Sequence, residues 1–311
     1  MLARVAAHLY WLSRYVERAE NMARILDVGQ SLALVTARAG DDSAAEPLVI
    51  TDNAASFEAT ARPLTSENVA RFLAWEPSLQ SSIASCLEAS RENARAVRGS
   101  ITSEMWECIN DTWMQLHARR RGGLEPINSE FFDWVKERSH LFRGITEATL
   151  RRGQPYHFIR LATFIERGDN TARILSVKHA RQAQADGEVE SDYYRLSSVL
   201  RSVSALEAYR DTYRDAIGPR RVAQLLVFDE RLPRSLRFCS DEIVTQLSRL
   251  PQEAGRTARR IAATVRAGLA YGDVDDIEGV RGDGLRVFLE EFIDDNRRLG
   301  AAVQGEYMEM Q

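Results

Sequence analysis

Two short segments of this chain carry the same polar residues at the same spacing. One is YVERAENMARILDV at 15–28 and the other FIERGDNTARILSV at 164–177. Glu17, Arg18, Asn21 and Arg24 in the first match Glu166, Arg167, Asn170 and Arg173 in the second, and Glu20 corresponds to Asp169. On a helix, at about 100° per residue, Glu17, Asn21 and Arg24 fall along one line, with Glu20 at the edge of the Leu9, Leu12, Val16, Ala19 and Ala23 stripe. Carboxylates so placed accept protons or bind cations, and guanidiniums clamp anions. That reading makes Glu17, Glu20, Glu166 and Asp169 candidate catalytic groups. It makes Arg18, Asn21, Arg24, Arg167, Asn170 and Arg173 candidate substrate-binding groups. A second reading is structural. Glu20–Arg24 and Asp169–Arg173 are i,i+4 pairs, and across a pseudo-twofold axis Glu17 could meet Arg173 and Glu166 meet Arg24. Such networks set the register of packed helices. Both readings stay open from sequence alone.

The matched segments lie at an offset of 149 residues, about half of the 311-residue chain. A hydrophobic pattern recurs in any two amphipathic helices, whereas a shared Glu-Arg, acid, Asn and Arg need a more specific cause. VARFLAW at 69–75 pairs with VAQLLVF at 222–228, and Ser82, Ile83 and Cys86 pair with Ser235, Leu236 and Cys239, both at an offset of 153. We therefore expect internal duplication. The predicted fold is all-α, with two tandem helical halves, 1–150 and 151–311, related by a pseudo-twofold axis.

Helical periodicity runs almost throughout. It predicts helices over 2–37, 66–74, 79–98, 101–119, 129–151, 155–183, 190–213, 220–228, 234–249, 252–271 and 284–303. Gly40 with Asp41-Asp42-Ser43, the Gly122-Gly123 pair after three arginines, Gly153-Gln154-Pro155, Gly218-Pro219 and Pro251 supply stops and restarts. Residues 39–65 read as a loop with one short helix. The acidic, Gly-rich 271–284 reads as a solvated turn, because Ile277 interrupts the alternating oxygen ligands of a calcium loop.

Net charge is −4 with a pI near 5.9, which gives no electrostatic case for nucleic acid or an anionic membrane. Of 41 Lys and Arg residues, only Lys136 and Lys178 are lysine, so a buried carboxylate would meet a guanidinium. No long apolar run suggests a membrane span, and the start lacks a signal-peptide core, so the expected location is cytoplasmic. Cys86, Cys108 and Cys239 lack zinc spacing and read as buried thiols. Glu137 and His140 have the Glu-x-x-His spacing of di-iron bundles but no second copy. No phosphate loop, nucleophile elbow or Cys-His signature is present. No metal or cofactor is expected.

The opening LYWLSRYVERAENMARILDV (9–28) resembles the start of the alpha-E family of bacterial all-helical proteins. FIERGDNTARIL (164–175), SSIASCLEASRENARAVRGSIT (81–102) and PRSLRFC (233–239) are similar to its later segments. His8 stands where the family usually has Asn, and Asn170 where an apolar residue is common. Members are commonly encoded beside, or fused to, a circularly permuted ATP-grasp ligase, with transglutaminase-like and proteasome-related peptidases recurring nearby. The resemblance implies a helical partner of an ATP-grasp amidoligase in peptide or small-metabolite amide synthesis, with the nucleotide chemistry done by the partner. The alternatives are an enzyme using the Glu/Arg cluster on the ligase's product, and a purely structural scaffold.

Overall fold

A computed structural model describes residues 1–35, 42–121, 127–182, 189–278 and 284–309. Among these, the chain is helical and contains no strand. The helices before the middle of the chain are α1 (Ala3–Val35), α2 (Asp42–Ile50), α3 (Ala54–Glu58), α4 (Ser66–Trp75), α5 (Ile83–Ala96), α6 (Ser103–Arg121) and α7 (Ser129–Thr149). Those after it are α8 (Gln154–Gln182), α9 (Val189–Ser202), α10 (Leu206–Tyr213), α11 (Pro219–Phe228), α12 (Leu236–Ser248), α13 (Arg256–Tyr271), α14 (Val274–Glu278) and α15 (Gly284–Tyr307). The chain divides into two compact units, Met1–Thr163 with Tyr307–Gln311, and Phe164–Glu306; the division falls within α8. The stops expected at Gly40-Asp41 and Gly122-Gly123, and the end of the acidic turn at 279–283, lie outside the described residues.

Local chemistry explains most helix starts. The Thr65, Ser82, Asn128 and Ser235 side chains accept the backbone N–H groups of Asn68, Ser85, Phe131 and Phe238, satisfying donors that have no partner inside the helix. Pro219 opens α11 after Gly218, as its fixed φ and missing N–H allow. The helix expected over 190–213 is two helices. Ser204 takes a left-handed φ of 53° between them, and the Ala205 N–H closes on the Leu200 carbonyl at 2.7 Å. The expected loop over 39–65 holds two helices, α2 and α3, with Pro47 inside the first.

In the first unit α1 is central, packing against α2, α4, α5 and α7. Its apolar stripe, Ala19, Met22, Ala23 and Leu26, sits in one core with Phe72, Leu73, Ile83, Leu87, Phe131 and Phe132. In the second unit α12 packs on α11 and α13. The α15 side chain Asn296 donates to the Ile165 carbonyl of α8 at 3.0 Å. Phe292 of α15 and Cys239 of α12 crowd the Gly168 position on α8, where an added Cβ would lie 3.4 and 3.5 Å from them.

The two units share local details. The non-glycine residues with positive φ among those described are Asp52, Ala61, Ser204 and Arg214, with φ of 58°, 54°, 53° and 49°. They form two pairs at offsets of 152 and 153 residues. Asn53 N–H bonds Leu48 O and Ala205 N–H bonds Leu200 O. The thiol of Cys86 makes a weak bond to Gln80 O, and that of Cys239 to Pro233 O. Helix starts are completed differently. Thr102 caps α6 and shares a 2.9 Å hydrogen bond with Thr149 at the end of α7. Gly255 before α13 has no side chain, and the Glu306 carboxylate near the end of α15 accepts from Thr257 and Ala258 N–H at 2.8 and 3.0 Å.

Candidate functional site

Glu17 and Glu20 are almost fully enclosed, 1% and 0% exposed, although both lie on the polar line read from the sequence. A buried carboxylate is costly unless it is paired and hydrogen-bonded, and α7 supplies the partners. Arg143 NH1 donates to Glu17 Oε2 at 2.8 Å and its NH2 to Glu20 Oε2 at 2.5 Å. Ser139 Oγ donates to Glu20 Oε2 at 2.8 Å and accepts from Arg143 NH1 at the same distance. On α1 itself, Arg24 Nε donates to Glu20 Oε1 at 2.8 Å. His140 Nε2 lies 3.2 Å from Arg24 NH2 and 3.4 Å from Glu20 Oε1.

The pattern continues one turn further. Asp27 takes Lys136 Nζ at 2.8 Å, and Asp133 takes the same ammonium at 2.7 Å. Burial disfavours the charged ammonium of Lys136, but hydrogen bonds to Asp133 and Asp27 outweigh it and raise its pKa above the ordinary value. Glu17, Glu20, Arg24 and Asp27 thus step down α1 at intervals of three and four residues, and Arg143, Ser139 with His140, and Lys136 step the opposite way along α7. The result is a polar ladder along one helix–helix seam. The cluster joins two carboxylates and two guanidiniums, with His140 half-exposed at its edge. At Glu20 two guanidiniums and a hydroxyl donate to one enclosed carboxylate, so its oxygens are engaged within the seam.

The second copy is arranged differently. Glu166 and Arg167 are 7% and 8% exposed. Asp169 and Arg173 pair at 2.7 Å with side chains 23% and 25% exposed, against 0% and 12% for Glu20 and Arg24. Arg173, the partner considered for Glu17, holds Asp169 on its own helix, and Glu17 takes Arg143. Arg167 stacks its guanidinium 5.3 Å from the Phe164 ring and reaches Pro233 O at 3.4 Å. Asn170 Nδ2 is buried with no hydrogen-bond partner among the described residues. In the first copy, Arg18 lies over the Tyr15 ring at 6.0 Å, and Asn21 is buried.

Ser139 and Arg143 were not legible as partners from sequence. His140 was, but only through its Glu-x-x-His spacing. Their common signal is the i, i+1, i+4 placement of Ser139, His140 and Arg143 on an amphipathic helix, which gains meaning once α7 is known to pack on α1. No group of three or more His, Cys, Asp or Glu side chains that could hold a metal occurs among the described residues. No described helix is long and apolar enough to cross a membrane.

Similar proteins carry this unit inside longer chains. Uncharacterized proteins of Mycobacterium bovis and of two Mycobacterium tuberculosis strains are 23% identical over 322 aligned positions, covering 93% of this chain and 35% of each relative. The chain therefore spans about a third of the length of the curated relatives it matches. No solved structure matches it. Residues 1–308 match the profile of Alpha-E, described as a predicted alpha-helical domain with a conserved ER motif. Glu17-Arg18 and Glu166-Arg167 are both such dipeptides, and the chain belongs to the Alpha-E family.

Proposed function

We propose that this chain is a helical partner module of an ATP-grasp amidoligase, holding that enzyme or its acceptor while the ligase performs the nucleotide chemistry. The observation that carries this reading is the length of the relatives. The match occupies 35% of each, so a partner domain of larger size has room on the same polypeptide. The chain itself shows no phosphate-binding loop. The partner's identity comes from the family resemblance.

The two Glu/Arg copies take different roles in this reading. The buried, paired first copy holds α1 against α7. The second copy keeps its Asp169–Arg173 pair partly exposed, at 23% and 25%, and in this reading the Arg173 guanidinium meets an acidic acceptor. We also propose that the two units descend from one duplicated bundle. The paired positive-φ residues and the shared Leu48/Leu200 carbonyl bonds support this, in a region where no sequence match was visible.

The test has two steps. Calorimetry of the purified chain with Mg-ATP should show no binding. Addition of an ATP-grasp protein encoded beside the gene should give a stable complex and acceptor-dependent ATP turnover. Arg173→Ala should lower that turnover with little change in melting temperature, while Arg24→Ala should mainly destabilise the fold. Tight ATP binding by the isolated chain, or no association with the ligase, would overturn the partner role.

A further inference from the structure

The first unit contains an open cleft of about 380 Å³ between α2 and α3, walled by Ala45, Leu48, Ala54, Phe57 and Leu64. That volume lies within the roughly 300–1,000 Å³ of small-ligand pockets. Leu48 and Phe57 are buried beneath it, whereas Ala54 and Leu64 are exposed. Two non-glycine residues with left-handed backbone, Asp52 and Ala61, bracket α3. Such conformations persist only where the surrounding structure enforces them.

The second unit carries larger side chains at the corresponding positions. Ser204 and Arg214 bracket α10 as Asp52 and Ala61 bracket α3. Ala54 and Leu206 are each the first residue of their helix. Phe57 and Tyr209 each donate their backbone N–H to the N-cap carbonyl, Asn53 and Ala205 respectively. At the position of exposed Ala54, the second unit has Leu206, only 5% exposed. It also carries Tyr213, whose ring lies 4.8 Å from that of Tyr209. On the three-residues-shorter α3, no residue provides that second ring. The first unit thus keeps the backbone frame but replaces a leucine by alanine and lacks the tyrosine.

We propose that the α2–α3 cleft binds a small phenolic ligand, whose ring takes against Phe57 the place that Tyr213 takes against Tyr209. The rim supports a neutral ligand with one donor. Arg62 is already held by Glu76 at 2.8 Å, and exposed Glu58 offers a carboxylate acceptor to a phenol hydroxyl. The inference rests on the proposed correspondence of the two units and is independent of the ligase partner.

The experiment is a titration of the full chain with 4-ethylphenol, using 4-ethylcyclohexanol as the aliphatic control, read by calorimetry and by methyl resonances of Leu48 and Leu64. Saturable binding of 4-ethylphenol is expected, with both leucines shifting and the control weaker. Ala54→Leu restores the side chain that the second unit carries. It lies at an exposed position, so the variant should fold, and it should weaken binding by at least about tenfold. Absence of saturable binding, shifts that bypass Leu48 and Leu64, equal binding of the control, or undiminished binding by a folded Ala54→Leu variant would each overturn the proposal. ATP turnover with the ligase is unaffected by this test, so the two readings fail separately.

Discussion

Replacing Arg143 by Met tests how the buried carboxylates are held. The guanidinium donates to Glu17, Glu20 and Ser139 at 2.8, 2.5 and 2.8 Å. Hydrogen bonds to charged groups contribute about 1.5–3 kcal/mol each. Glu20 keeps Arg24 and Ser139, so its loss falls at the low end. Glu17 is 1% exposed and cannot recover the lost donor from water. The total cost is about 3–5 kcal/mol, the range seen when a buried ion pair loses one member. Methionine retains the apolar stem, which limits the cavity term. The reciprocal change is milder. In Glu17→Gln the amide oxygen still accepts, and the Arg143 side chain is 20% exposed and reaches solvent, so we expect about 1–2 kcal/mol. The double variant should cost less than the sum of the two, because the residues share one interaction. The assay is calorimetric melting with parallel urea denaturation. At ~2–4 °C per kcal/mol for a domain of this size, Arg143→Met should lower Tm by roughly 6–20 °C. A melt within about 2 °C of wild type, or a Glu17→Gln variant less stable than Arg143→Met, would refute the reasoning.

Three further outcomes are expected. Burial opposes ionisation of Glu306, but the N–H donors of Ala258 and Thr257, with Arg259 nearby, outweigh it and hold its pKa below the ordinary carboxylate value. Its folded pKa being depressed, its contribution is full above the unfolded pKa and is lost as pH falls through the folded one; Glu306→Gln should flatten stability against pH in that acidic window and nowhere above it. Gly272→Ala would place a Cβ 2.6 Å from Gly268 O and 3.2 Å from Phe228, so it should destabilise by about 1–3 kcal/mol in urea melts. Tyr209→Phe removes the hydroxyl that donates to Ala216 O at 2.9 Å and accepts from Gly218 N–H at 3.1 Å; a loss of about 1–2 kcal/mol is expected, measured by the same melts.

Helix existence was legible because the signals are local. Gly218-Pro219 announces α11, whereas the Ser82 cap went unread, and α5 begins at Ile83 rather than at 79. The break in 190–213 was not, since Ser204 carries no glycine or proline to mark its left-handed turn. The region around α2 and α3 was misread because both helices are short and Pro47 sits inside one. Within the site, the carboxylates could be found from their repetition. Arg143 could not, because an arginine on an amphipathic helix reads as solvated until a second helix covers it. The matched motif also concealed a difference: identical Glu-x-x-x-Asn spacing yields a closed cluster in one unit and a more exposed ion pair in the other.

The exchange of caps between α6 and α13 bears on the order in which the chain can assemble. Thr102 serves the first turn of α6 from three residues away, so that helix is complete soon after it is synthesised. The first turn of α13 waits for a carboxylate 48 and 49 residues downstream. Until α15 has formed and docked, the donors at Thr257 and Ala258 have only water, and a helix in that state frays from its start. During synthesis the second unit therefore closes late, and its closing is signalled by one side chain near the end of its last helix. A nascent or shortened chain that stops before Glu306 would leave the first turn of α13 without these two acceptors.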